Sequence, residues 1–73
     1  MMYEIASYSE ETGLERHGRK AEWADVVKEV LWLLGSFGDE PGFVVYVEPC
    51  GLPWFCDELE IRSAAELPQS APW

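Results

Sequence analysis

The period of apolar and polar positions changes along the chain, and each change marks an element. Residues 2–8, "MYEIASY", alternate with period two, which predicts a strand with Tyr3, Ile5 and Ser7 on one face and Glu4, Ala6 and Tyr8 on the other. "SEETG" reads as a turn. After Gly13, "LERHGRK" returns antiparallel as a second strand over about 14–19, since a loop of about five residues containing Gly is common in hairpins.

The period then shifts to that of a helix. At about 100° per residue, Trp23, Val26, Val27, Val30, Leu31, Leu33 and Leu34 share one broad apolar face, so "AEWADVVKEVLWLLGS" predicts a helix over 21–36. Glu22, Asp25, Lys28, Glu29 and Ser36 take the opposite side, with Trp32 in their midst. Gly35 and Gly38 offer left-handed positions to end the helix, and Pro41 prevents its continuation.

"GFVVYVEP" is a β-branched and aromatic run between Gly42 and Pro49, predicting a central, largely buried strand over 43–48. "FCDELEIR" over 55–62 alternates, with Cys56, Glu58, Glu60 and Arg62 facing one way and Phe55, Asp57, Leu59 and Ile61 the other. Ser63 and Glu66 have capping-box spacing and predict one helical turn before a Pro-containing tail over 67–73. The expected fold is a single α+β domain, a small antiparallel or mixed sheet in the order β-β-α-β-β with one amphipathic helix packed on one face. Without the second strand the order contracts to β-α-β-β.

Composition agrees with a folded domain. The chain has 73 residues, 48 % of them hydrophobic and ten aromatic, enough apolar surface to offset ordering entropy. At this length there is room for one small core and no deep cleft. No apolar run approaches the roughly 20 residues of a membrane span. The N-terminus lacks the basic-then-apolar order of a signal peptide, and the expected location is cytoplasmic.

Charge narrows the function classes. Fourteen Asp and Glu against five Lys and Arg give a net charge of −9, and four of the five cations fall between Arg16 and Lys28. From Asp39 onward there are seven carboxylates and a single cation, Arg62. Direct nucleic-acid binding relies on Lys and Arg to neutralise phosphates, so this balance points instead to a basic partner or to solubility.

Candidate chemistry is sparse. Cys50 and Cys56 are spaced C-x5-C, whereas zinc sites use closer pairs and four ligands, and the chain adds one histidine, His17. A disulfide across the hairpin neck requires Cα atoms within about 4.4–6.8 Å and an oxidising compartment. The neighbours Glu48, Asp57 and Glu58 oppose a thiolate, so a cysteine nucleophile is disfavoured. "GSFGDEPG" lacks the Lys and the strand-first context of a phosphate loop. No enzyme, metal or cofactor is expected.

What remains is surface. Glu48, Glu58 and Glu60, with Asp57 on the other strand face and Asp39 and Glu40 in a loop, form a candidate negative surface that mimics phosphate spacing; the same acids also serve to keep a sheet edge from associating. Trp32 is either covered by the tail ending in Trp73 or available to a partner, and Trp54 in the hairpin loop is a second aromatic candidate. In general type, through the helix "AEWADVVKEVLWLLG" and the acidic "EPCGLPWFCDELE", the chain resembles small acidic phage-encoded inhibitors, above all anti-CRISPR proteins. That resemblance implies a basic protein or ribonucleoprotein partner in the host cytoplasm, such as a guide-RNA-bound surveillance complex. The expected binding residues are Trp32, Asp39, Glu40, Glu48, Trp54, Asp57, Glu58 and Glu60. The alternative is a homodimeric or accessory scaffold domain that buries Trp32 and "FVVYV" against a second copy.

Overall fold

The computed structural model describes residues 1–50 and 58–73. The elements run β1 (Met2–Ser9), β2 (Gly13–Lys20), α1 (Trp23–Phe37), β3 (Val44–Cys50), β4 (Leu59–Ile61) and a 3-10 turn (Ala64–Glu66). The sheet order is β2-β1-β3-β4 with every neighbouring pair antiparallel, and α1 crosses from the β2 edge to β3. The fold is therefore α+β, a four-stranded antiparallel sheet with one helix on it. Of the strand expected over 55–62, residues 55–57 lie outside the described residues, and β4 takes up only Leu59–Ile61.

The alternation of β1 and β3 builds the core. Ile5 pairs with Val47 and Val45 with Ile61, and all four side chains are fully buried together with Val26, Val30 and Leu33 of α1. Burying a branched aliphatic side chain contributes roughly 1.5–3 kcal/mol, so these seven residues are the main favourable term. Leu31, expected on the same helix face, is instead exposed, because it lies at the margin of the arc that meets the sheet.

β2 is a full strand despite having few apolar residues, and it is held by its pairing with β1. Its start is set by a three-residue loop in which Ser9 pairs with Gly13, whose φ of 73° supplies the left-handed step such loops require. Ser9 Oγ accepts from Thr12 N (3.1 Å) and lies 2.7 Å from Thr12 Oγ1, so the buried serine is satisfied within the turn. Between Ile5 and Ala6 the register slips: Ile5 faces Gly18 and Ala6 faces Arg16, leaving His17 as the extra residue of a β-bulge. His17 Nε2 lies 2.7 Å from the Oγ of buried Ser7, so this residue is a half-buried hydrogen-bond partner on the helix side of the sheet.

Two helix ends differ from expectation, the C-terminus of α1 and the N-terminus of the 3-10 turn. Gly38 is right-handed (φ −61°) and its N–H donates to Leu34 O at 3.0 Å, so the helix passes through Gly35 and stops at Phe37 with no left-handed cap. Ser63 makes no side-chain cap; Glu66 Oε1 accepts instead from the Arg62 N–H at 2.8 Å, one residue earlier than a capping box demands.

The C-terminal tail is tied to the other end of α1. Trp23 Nε1 donates to Pro68 O at 3.0 Å, and Trp73 stacks on Tyr3 (6.2 Å between ring centroids) and meets Trp23 edge-on (6.1 Å). Trp73 thus covers Tyr3 and Trp23, and the cover proposed for Trp32 does not form: Trp32 is 59 % exposed and touches Phe37 edge-on at 5.7 Å.

Two stability outcomes follow. Gly18 has φ 98° with open space where a Cβ would lie, so Gly18→Ala is expected to lose about 1–3 kcal/mol from backbone strain alone, read as a lower urea midpoint. An unchanged midpoint would mean that the bulge needs no glycine. Trp73→Ala should lose about 2–3 kcal/mol and Trp32→Ala less than about 1 kcal/mol in the same assay; the reverse order would contradict the packing of the tail.

Candidate partner-binding surfaces

The sheet has two faces and α1 covers one of them. On the other, the register sets side chains in rows across the strands: Arg19, Glu4 and Glu48 in one, Arg16, Ala6, Tyr46 and Glu60 in the next, Leu14, Tyr8 and Val44 in the third. The bulge makes the first row possible, because Arg16 is already placed by the turn, whereas without the extra residue Arg19 would fall opposite Tyr3 and turn toward the helix. Tyr8 (40 %) and Leu14 (59 %) remain exposed. Ala6, with its single methyl, is the floor of a trough of about 370 Å³ whose lining includes Tyr8, Leu14, Arg16, Tyr46, Glu48 and Glu58.

Charges on this face are unequally matched. Arg16 is hydrogen-bonded to Glu4 Oε1 and Arg19 lies 3.6 Å from Glu4 Oε2, so both β2 arginines converge on a single carboxylate. Arg62 sits 3.8 Å from Glu60. Glu48, directly opposite Glu4, and Glu58 form no ion pair among the described residues. Residues 51–57, "GLPWFCD", contain no Lys or Arg to supply one.

A second surface lies at the end of the molecule where the β1–β2 turn meets the α1–β3 loop. Glu10 N donates to Pro41 O at 3.0 Å, and Glu15 and Glu40 line the same small crevice with Phe37 and Phe43. Glu10, Glu11, Glu15, Asp39 and Glu40 therefore gather beside the C-terminal end of α1, whose last turn carries no basic residue and whose own dipole adds negative potential. None of the five takes part in an ion pair among the described residues. The aromatic chain Trp32, Phe37, Phe43 runs along this end (5.7 and 6.3 Å between successive rings).

The expected binding residues are thus divided. Trp32, Asp39 and Glu40 belong to the helix side and its adjoining loop; Glu48, Glu58 and Glu60 belong to the open face of the sheet. Glu48 stands four residues beyond Val44 along β3, about 13 Å from the loop end, so the acids do not form one continuous row. Trp54 and Asp57 lie outside the described residues. Glu10, Glu11 and Glu15 escaped the sequence reading because they are distant in sequence from Asp39; a hairpin turn rich in acids is the signal they carry.

Cys50 Sγ approaches Glu4 Oε2 at 4.0 Å on the open face, while His17 faces the helix, so the two do not share a proton or a metal. The disulfide considered for Cys50 involves Cys56, outside the described residues. Among the described residues, no group of three or more His, Cys, Asp or Glu is placed to hold a metal ion, and no helix is long and apolar enough to cross a membrane. Comparison with protein-family models, curated proteins and solved structures finds no match to this chain.

Like charges directly opposite one another on a sheet are destabilising. Glu48→Gln is therefore expected to raise stability by about 0.2–0.5 kcal/mol at low salt, with the gain shrinking as ionic strength rises. A loss of stability at every salt concentration would mean that Glu48 has a partner in the fold.

Proposed function

We propose that this protein is a non-enzymatic binding module that masks a basic surface of a protein or ribonucleoprotein. The reading is carried by one observation, the convergence of Glu10, Glu11, Glu15, Asp39 and Glu40 at the negative end of α1 without an ion pair among the described residues. A charge of −9 distributed for solubility alone gives no reason for two chain segments to bring their acids together. Exposed Trp32 and Phe37 beside this pole supply what charge lacks: carboxylates speed encounter, while a desolvated aromatic slows dissociation. Inhibition of a surveillance complex of the anti-CRISPR kind is one instance of such masking, since a carboxylate cluster competes with phosphates for the same Lys and Arg side chains.

The test is capture of partners from the source cell on the tagged protein, with washes at low and high salt. A basic protein or nucleoprotein is expected to be retained at low salt and released at high salt, and to be lost when Glu10, Glu11 and Glu40 are changed to Gln and Asp39 to Asn. Trp32→Ala should raise the dissociation rate about tenfold or more, as for an aromatic anchor. Capture that survives the charge changes undiminished would refute the masking reading.

A further inference from the structure

We infer that the trough on the open face of the sheet receives an arginine side chain from an extended basic segment of a partner protein. The inference rests on the reading that the partner is basic, but uses a different surface from the acidic pole. Its occupant is fixed by charge and shape together. Glu48 and Glu58 line the trough with no ion pair among the described residues, so the complementary head group is a cation. Arg16, held on Glu4, lines the β2 side and repels that cation toward β3 and β4. Ala6 lies between Glu4 and Tyr8 along β1 and between Arg16 and Tyr46 across the sheet, so the floor is low where its neighbours are tall.

An arginine matches these conditions better than a lysine. Its planar guanidinium stacks on a tyrosine ring while its N–H fork donates to carboxylates, and it is more weakly hydrated than an ammonium. The head group then lies over Tyr46 with Glu48 and Glu58 as acceptors, and the methylene stem crosses Ala6 toward Tyr8 and Leu14, whose exposed apolar surface it covers. A second copy of this chain is a poorer occupant, since it would set one acid-lined trough against another.

The experiment titrates the isotope-labelled full chain with a peptide of Arg-Gly-Gly repeats and with its Lys-Gly-Gly counterpart of equal length and charge. The arginine peptide is expected to bind at least about fivefold more tightly, to shift the amides of Ala6, Tyr46 and Glu48, and to lose about fivefold or more of its affinity with Tyr46→Leu or Glu48→Gln while the melting temperature does not fall. Equal affinity for the two peptides, indifference to Tyr46→Leu, or shifts confined to Glu10, Glu11, Asp39 and Glu40 would overturn the arginine site and leave the masking reading standing. Concentration-dependent shifts without peptide, with a dimer in sedimentation, would overturn it in favour of a second copy. The masking reading fails separately, when neutralising the acidic pole changes neither the partners captured nor their salt dependence.

Discussion

One helix has to cover a four-stranded sheet, and much of the rest follows from how far it reaches. Fifteen residues of α1 span about 22 Å and shield the central strands, where β1 and β3 place Ile5, Val45 and Val47 against Val26, Val30 and Leu33. At its N-terminal end the cover is completed by aromatic rings, Trp23 and Trp73 over Tyr3; at its C-terminal end Phe43 packs against the core, with Phe37 tilted against it. β2 lies at the limit of that reach. Its helix-side positions are Glu15, His17, Gly18 and Lys20, of which His17 finds a polar contact in Ser7 and Lys20 in Glu29 (3.8 Å).

The same limit explains what could be read from the sequence. β1, α1 and β3 meet one another in the core, so burial imprinted a clear period on β1 and α1 and a continuous apolar run on β3. β2 buries almost nothing apolar, and the bulge at His17 breaks its alternation, setting Leu14, Arg16 and Arg19 two and then three residues apart on one face. Gly18 within "LERHGRK" was the local sign of that irregularity. The end of α1 was misread because a glycine permits a left-handed turn without compelling it; Gly38 is right-handed and the positive φ falls at Gly42, past Pro41. The destination of Trp73 depends on a contact across most of the chain, which no local pattern encodes.

The candidate surfaces were legible in kind but not in grouping. Sequence proximity joined Asp39 and Glu40 to the acids of the β3–β4 segment, whereas the fold joins them to Glu10 and Glu15 through the hydrogen bond from Glu10 N to Pro41 O. Sequence proximity also suggested a basic stretch from Arg16 to Lys28. In the fold two of its cations are taken up by Glu4 and a third, Lys20, by Glu29, so what looked like a basic region has little free charge to offer.

This division constrains any partner. Trp32 lies on the outer side of the helix and Glu48 on the far side of the sheet, with the whole core between them, so no flat surface touches both at once. If a single partner engages the acidic pole and the trough together, it has to pass around the β1–β2 turn, where Glu10 and Glu11 are exposed and where Tyr8 and Leu14 open the near end of the trough. An extended, flexible segment can follow that path. A flat partner surface docked on the pole, with Trp32 and Phe37 as its apolar contact, would leave the carboxylates of Glu48 and Glu58 in water. Since Arg16 and Arg19 already hold Glu4, Glu48 and Glu58 are the carboxylates of this face left without an ion pair among the described residues, and a cationic chain that followed this path would meet them.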